Sequence, residues 1–263
     1  MVEEKQYSTG ITESKSWFEE WFDSDYYHIL YKERDEEEAK LFLNNLKKIT
    51  GWQPGQTILD LACGRGRHAH YLASSGLLVT GLDLSVSSIA YAKKSSQNSV
   101  AFKVHDMRQP FGVQQFDYIL NLFTSFGYFD NEEENILVLQ HIANALKNDG
   151  IAVIEYMNPH YVIEHLKEKE TKQVEDIVFE MSKEVTGNFL YKHIRFIADK
   201  QEHLFTERVM LIYLQQFQKY FEVVGLKLQH LYGNYNLSPY EAANSPRMIL
   251  VMKKENSITK TNA

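Results

Sequence analysis

The stretch Ile58–Gly76, ILDLACGRGRHAHYLASSG, decides how the rest of the chain is read. A short apolar and β-branched run, Thr57–Leu61, carries Asp60 near its end. A loop with Gly64 and Gly66 follows, and a helix is expected from about Arg67 to Ser74. Glycine accepts backbone dihedrals that other residues resist and lets a ligand approach the main chain. The loop amides and the first N–H groups of the helix point into one crevice. A strand, a glycine loop and a helix in that order make a ligand cradle.

Working outward, further strand-like runs occur at Leu77–Leu82, Val100–Val104, Phe116–Leu122 and Ile151–Tyr156. Helical segments separate most of them. One starts after Ser85 with Ile89, Ala90 and Ala92. Another covers Glu132–Leu146, with Ile136, Leu139, Ile142, Ala143 and Leu146 at helical spacing. Alternating strands and helices predict an α/β fold with parallel strands and right-handed crossovers. Asp60, Asp83 and Asp106 follow successive strands at equal intervals. They are expected along the carboxyl edge of the sheet, where open α/β sheets bind ligands.

Upstream, residues 1 to about 12 read as a loose tail. Residues 14–35 are rich in aromatics (Trp17, Phe18, Trp21, Phe22, Tyr26, Tyr27 and Tyr31). A helix is then expected with Asp35 as N-cap, acidic residues in its first turn, an apolar stripe of Leu41, Phe42, Leu46 and Ile49, and Gly51 at its stop. Downstream, a helix is expected over 159–168. Three strand-like runs, Val174–Val185, Phe189–Ile197 and His203–Ile212, predict an inserted antiparallel meander with turns at Thr186–Asn188 and Ala198–Lys200. A helix Gln215–Val224 closed by Gly225 and two runs, Leu226–Leu231 and Arg247–Met252, would complete the main sheet. The tail from Lys253 is expected to be mobile. The resulting division is an N-terminal helical lid (1–50), a ligand-binding core (51–158), the insert (159–212), the C-terminal completion of the core (213–254) and a tail (255–263).

Two ligands compete for the glycine loop. Gly64-x-Gly66-x-x-Ala69 formally matches a dinucleotide fingerprint, and Asp83 stands about where a ribose-binding acid belongs. Asp60 discriminates. A dinucleotide places a doubly charged pyrophosphate beside this loop, and at an effective dielectric of about 20, like charges about 4 Å apart repel by roughly 4 kcal/mol. S-adenosylmethionine has no phosphate; its sulfonium and ammonium favour an acidic rim. Leu61–Ala62–Cys63 also intervenes where the first glycine of the fingerprint normally follows the strand.

Asp60-x-Ala62-x-Gly64-x-Gly66 resembles motif I of class I S-adenosylmethionine-dependent methyltransferases, with Ala62 in place of the commoner first glycine. The resemblance continues through Asp83, through Asp106–Met107, through FDYILNLFTSFGYF (116–129) and through LKNDGIAVIEYMN (146–158), and points to the small-molecule branch. It implies a Rossmann-like, doubly wound seven-stranded sheet with S-adenosyl-L-methionine as cofactor and S-adenosyl-L-homocysteine as product. By resemblance, Ala62, Cys63, Gly64 and Gly66 lie against the amino-acid part of the cofactor and Asp60 faces its ammonium. Asp83 takes the ribose hydroxyls, Leu84 packs on the adenine, and Asp106 and Met107 meet its edge. Asn121 and Leu122 sit beside the methionyl group. Plainer readings stand beside these: Asp60 as a cap for the loop, Asp83 as a cap for the Ser85 helix, Asp106 in a surface turn, and Cys63 as merely a small residue.

The aromatic N-terminus reads either as an amphipathic helix packed on the sheet or as a lid, with Tyr27 shielding the sulfonium and Arg34 pairing with the methionyl carboxylate. Candidates for acting on the acceptor lie beyond the fourth and fifth strands: Thr124, Ser125, Tyr128, Tyr156, Asn158 and His160, with Tyr128 and His160 preferred. His68 and His70 are two apart on a helix and do not share a face, so a metal site is not expected. Composition narrows the class further. The chain has 263 residues, 44% hydrophobic and 24% charged, and a net charge of −7. Without a basic tract it has no general attraction to nucleic acid or anionic lipid. Its longest apolar run, Val209–Leu214, is far short of the ~20 residues of a membrane span. A polar start and a single cysteine, Cys63, lead to the expectation of a cytoplasmic protein, with a small-molecule acceptor and a possible homodimer. An inactive cofactor-binding scaffold and an NAD-dependent oxidoreductase are the alternatives.

Overall fold

The computed structural model describes residues 16–32, 36–95 and 100–255. Two short helices come first, α1 (Trp17–Phe22) and α2 (Asp25–Leu30), followed by the long α3 (Glu36–Thr50). Each short helix has its own start signal. The Ser16 N–H and hydroxyl both donate to Glu19, and the Ser24 hydroxyl accepts from the Tyr26 N–H. Gly51, at φ +69°, ends α3 as expected, its N–H donating to the Lys47 carbonyl. The expected caps and tails at Asp35, residues 1–12 and the far C-terminus lie outside the described residues. The stripe of α3 is shifted from the sequence reading: Ala39, Phe42, Leu43 and Leu46 are buried, while Leu41 is 47% exposed.

The core alternates β1 (Thr57–Leu61), α4 (Arg67–Ser74), β2 (Leu78–Asp83), α5 (Val86–Ser95), β3 (Val100–Val104), β4 (Phe116–Asn121), α6 (Glu132–Ala145) and β5 (Leu146–Met157). After α7 (Pro159–Glu164) come β6 (Lys169–Val174), β7 (Ile177–Thr186), β8 (Phe189–Ala198) and β9 (Gln201–Met210). The chain closes with α8 (Leu214–Val224), β10 (Leu226–Tyr232) and β11 (Arg247–Lys254). The main sheet has seven strands in the order β10-β11-β5-β4-β1-β2-β3. The pairs from β5 to β3 are parallel, whereas β11 runs antiparallel to both β5 and β10. The strand order reverses between β1 and β4, so the crevice of this α/β sheet opens at their carboxyl ends.

The insert is a separate four-stranded antiparallel sheet, β6-β7-β8-β9. Three strands are expected from the sequence; the first run, Val174–Val185, corresponds to β7 and meets β6 only at Val174, so β6 goes unseen. The turn at Glu175–Asp176, with Glu175 at φ +54°, divides them. The first of these strands, KETKQV, is an edge strand whose side chains are mostly exposed, so it has no apolar alternation to betray it. The helix expected over 159–168 stops at Glu164, capped by the His165 N–H, which donates to the Tyr161 and Ile163 carbonyls. Helix α2 packs on the inserted sheet, and α1 bridges the two, its Phe18 buried in the main core beside Leu59, Leu61 and Phe129. Trp21 and Leu30 join Phe179, Met181, Ile194 and Phe196 in one apolar cluster. The insert is anchored to the core where the Met210 N–H donates to the Gly127 carbonyl at 2.7 Å, and the Tyr156 hydroxyl donates to the Met210 carbonyl. No helix among the described residues is long and apolar enough to cross a membrane.

Candidate functional site

The loop between β1 and α4 is held in conformations that favour glycine: Ala62 at φ +63°, Gly64 at +54° and Gly66 at +82°. Ala62 carries a Cβ into the left-handed region, at a cost of about 1 kcal/mol, at the position where the resemblance has a glycine. The two glycines serve different ends. A Cβ on Gly64 would meet nothing within 4 Å, so its backbone is bare toward open space. A Cβ on Gly66 would stand 2.6 Å from the Phe102 ring, so that glycine exists for packing as well as for its dihedral. Gly66 is accordingly not among the residues lining the cavity, unlike Ala62, Cys63 and Gly64.

That cavity has a volume of about 780 Å³ and lies at the carboxyl ends of the parallel strands. Leu61, Asp83, Leu84, Asp106, Met107 and Leu122 line it, with Phe22, Tyr27 and Tyr31 from the N-terminal segment and Arg67, Phe123 and Tyr128. Asp83 accepts from the Gly64 N–H at 2.7 Å and the Ser85 N–H at 2.8 Å. Burial nonetheless pushes its carboxyl above the usual range, against those backbone donors. Ser85 is itself the cap of α5, accepting from the Ser88 N–H at 3.0 Å. Asp106 meets a second fate. Burial would raise it, but the Arg108 guanidinium, in contact with both its oxygens, holds it below the usual range.

Asp60 and Asn121 do not reach the cavity surface. Asp60 is 1% exposed, and one of its oxygens, Oδ2, is buried without a hydrogen-bond partner among the described residues. Burial, then the charge of Asp83, raises its carboxyl to about 7, with the Ala69 N–H of α4 opposing the shift. Asn121 ties the Leu61 and Ser125 carbonyls together at 3.0 and 3.2 Å, bracing β1 against the turn after β4. The Cys63 thiol is buried, and burial pushes it up, which makes it a packing residue.

The N-terminal segment is fastened across this cavity. Asp23, between α1 and α2, accepts from the Ser85 hydroxyl at 2.6 Å and the Ser87 N–H at 2.9 Å. His28 meets the Ser88 hydroxyl at 3.2 Å. Arg34 lies outside the described residues. A second cavity of about 640 Å³ shares Phe22, Tyr27, Tyr31, Phe123 and Tyr128 with the first and adds Glu38, Leu41, Thr124, Glu207, Tyr235, Asn236 and Arg247. Its wall contains a strained turn, with Phe123 at φ +61° and Thr124 at +54°. Thr124 is held there by Glu155, which is fully buried on β5 and accepts the Thr124 N–H at 2.9 Å. Arg247 stands 3.3 Å from the same carboxylate and donates to the Thr124 hydroxyl at 3.1 Å.

The candidates for acting on an acceptor separate clearly. Tyr128 lines both cavities, its hydroxyl donating to the Thr124 carbonyl and its ring edge-on to Trp17 at 5.5 Å. His160 is exposed on α7, packed on Tyr213, and lines neither cavity; the pattern after β5 pointed to it only because sequence proximity to a strand end does not report side-chain direction. Tyr156 and Asn158 are fully buried structural residues, the latter holding the Ala242 and Ser245 carbonyls. Glu155 and Glu207 were missed. A lone Glu within the apolar run IAVIEYM was a usable signal for the first; Glu207 sits in an ordinary alternating strand and gave none.

Fold and cavities define a Rossmann-like α/β ligand-binding protein with two adjoining sites at the sheet's switch point. A family model described as a methyltransferase domain matches residues 53–208. A Streptomyces fradiae dTDP-3-amino-3,6-dideoxy-α-D-glucopyranose N,N-dimethyltransferase is 26% identical over 186 residues, covering 67% of this chain and 72% of that one. A Geobacillus sp. (strain WCH70) relative, also carried under a methyltransferase name, is 30% identical over 152 residues, and the match spans 57% of this chain and 59% of that relative's length. The SAM-bound structure of an amino pentose methyltransferase from Micromonospora echinaspora superposes with a TM-score of 0.67 at 18% identity, over 88% of this chain and 98% of that one. The chain belongs to the class I S-adenosylmethionine-dependent methyltransferase family.

Proposed function

We propose that this protein transfers a methyl group from S-adenosylmethionine to a nitrogen or oxygen atom of a small molecule. One observation carries the reading: two cavities share five wall residues at the switch point, one against the glycine loop and Asp83, the other against the turn after β4. That is the arrangement an in-line transfer between two bound molecules requires.

The described residues fit such a donor. Gly64 leaves its backbone bare, Leu84 and Met107 offer apolar surface, and the unpartnered Oδ2 of Asp60 favours a cation over a phosphate. Asp83 keeps acceptor capacity for a ribose diol after its two amide bonds, since a carboxylate has about four lone-pair sites. The donor, when bound, supplies a methyl group on a sulfonium that is already a good leaving group. The protein's own tasks are then to hold, align and dry the site. Asn121 and Glu155 fix the turn after β4, and the rings of Phe22, Tyr27, Tyr31 and Tyr128 screen the junction from water. Tyr128 is positioned as wall rather than base, its hydrogen spent on the Thr124 carbonyl. The named substrate of the Streptomyces fradiae relative, an amino sugar nucleotide, supports a small acceptor. The proposed setting is the cytoplasm.

The test is release of S-adenosylhomocysteine on incubation with S-adenosylmethionine and a panel of small amines and alcohols, read by mass spectrometry. Acceptor-dependent release is expected, with a mass gain of one methyl on the acceptor. Absence of release across fractionated metabolite extracts would count against the reading.

A further inference from the structure

The smaller cavity contains a carboxylate that the methyl donor does not explain. Glu207 reaches its wall from β9 of the inserted sheet, with its side chain 16% exposed. Oε1 accepts from the Trp21 indole N–H and from the Tyr31 hydroxyl, both at 2.7 Å. The Lys192 ammonium forms an ion pair with Oε2 at 3.8 Å without a hydrogen bond to it, and donates to the Tyr31 oxygen at 2.6 Å. A largely buried carboxylate is therefore held in place from two sides, next to a wall of Phe22, Tyr27, Tyr31 and Tyr128. An anion ringed by aromatic faces attracts an ammonium ion, through charge and through the ring quadrupoles together.

The charges around it point the same way. The charged residues that line this cavity are Glu38, Glu207 and Arg247, with Lys192 behind Glu207 on β8. Arg247 stands 3.3 Å from the fully buried Glu155, so its charge is matched on the spot. A neutral alcohol would gain little from the Glu207 carboxylate.

We propose that the smaller cavity selects an amine, held as its ammonium ion against Glu207 and the aromatic wall, and that Glu207 then takes its proton. The proposal rests on the methyl-transfer reading and names the acceptor class for it. In the proton step an N–H bond of the ammonium breaks and an O–H bond forms on Glu207. The electron pair stays on nitrogen, which becomes the nucleophile, and the proton leaves Glu207 for solvent through the cavity mouth. Tyr31 at α2 and Lys192 on β8 contact Glu207, and Tyr27 on α2, Tyr128 after β4, Glu38 on α3 and Arg247 on β11 line the same cavity. Glu38 is the other carboxylate on the cavity surface, and it is exposed.

Cyclohexylammonium and cyclohexanol are matched in shape and differ in charge. Both are titrated by ligand-observed NMR into protein saturated with S-adenosylhomocysteine, whose own binding is first established by calorimetry. The ammonium should bind about tenfold more tightly than the alcohol, a difference of about 1.4 kcal/mol. Glu207→Gln keeps an oxygen for Trp21 and Tyr31 but loses the charge, and should erase the preference. Equal binding of the two probes to the wild type, no binding of the ammonium, or a preference that survives in Glu207→Gln would overturn the proposal. The wild-type comparison stands even if the variant does not fold. Failure of S-adenosylhomocysteine to bind would remove the methyl-transfer reading and this proposal together. Its binding without an amine preference would remove only the role of Glu207.

Discussion

The two cavities share a wall but are assembled in opposite ways. The floor of the larger is built from consecutive strand-to-helix connections of one sheet, so Leu61–Gly64, Asp83–Leu84 and Asp106–Met107 recur in order along the chain, under a cover from α1 to α3. The smaller draws on Phe22, Glu38, Thr124, Glu207 and Arg247, which come from five separate elements and two sheets. The first is local structure repeated and the second is tertiary structure. The larger cavity is therefore set by backbone geometry, and the smaller by a few charged side chains held in an aromatic surround.

Substitutions should respect that division. The largest effect is expected at Asp83. Asp83→Asn weakens charge-assisted bonds to the cofactor worth about 1.5–3 kcal/mol each, so S-adenosylhomocysteine affinity should fall about 100-fold in calorimetry. Next is Arg247→Leu, which leaves Glu155 buried without its cation. It should cost about 3 kcal/mol in urea unfolding while changing cofactor affinity less than about twofold, and Glu155→Leu added to it should recover most of the loss. A loss of cofactor affinity as large as that of Asp83→Asn would show that the cavities are not separable.

A smaller effect should come from pH. Asp60 is raised to about 7 by burial and then by Asp83, against about 3.9 in an unfolded chain. Its contribution to stability is thus full below the unfolded value and is lost as pH rises through 7. A bound cation reverses the preference and favours the carboxylate. S-adenosylmethionine binding should then expel a proton below pH 7, with affinity falling by up to about tenfold per unit of acidification. Calorimetry in two buffers of different ionisation enthalpy measures that proton. Asp60→Asn should flatten this part of the profile; an unchanged slope would mean that Asp60 does not sense the ligand.

The contrast between the cavities also explains what the sequence could tell. Strands β1 and β3 were legible to the residue, because apolar runs bounded by turn residues are local signals. The start of β5 was not: Leu146 pairs with Phe116 before an irregular stretch around Asp149, at φ +63°, and the apolar run resumes only at Ile151. Strand β6 was hidden by its charged edge. Asp83, Leu84 and Met107 could be assigned to the larger cavity from motif order alone. The same order misjudged Gly66, which faces Phe102, and Asp60 and Asn121, which lie behind the cavity surface, because motif order says nothing about side-chain depth. Glu207 could not be found at all, since its setting is made by Trp21 and Tyr31, far away in the chain.

The central claim is that the larger cavity takes a cationic, phosphate-free adenosyl ligand. Isothermal calorimetry of the intact chain with S-adenosylmethionine, S-adenosylhomocysteine and NAD tests it most directly. One-to-one binding of the first two with no heat from NAD is the predicted result. Saturable binding of NAD, abolished by Asp83→Asn, would contradict it.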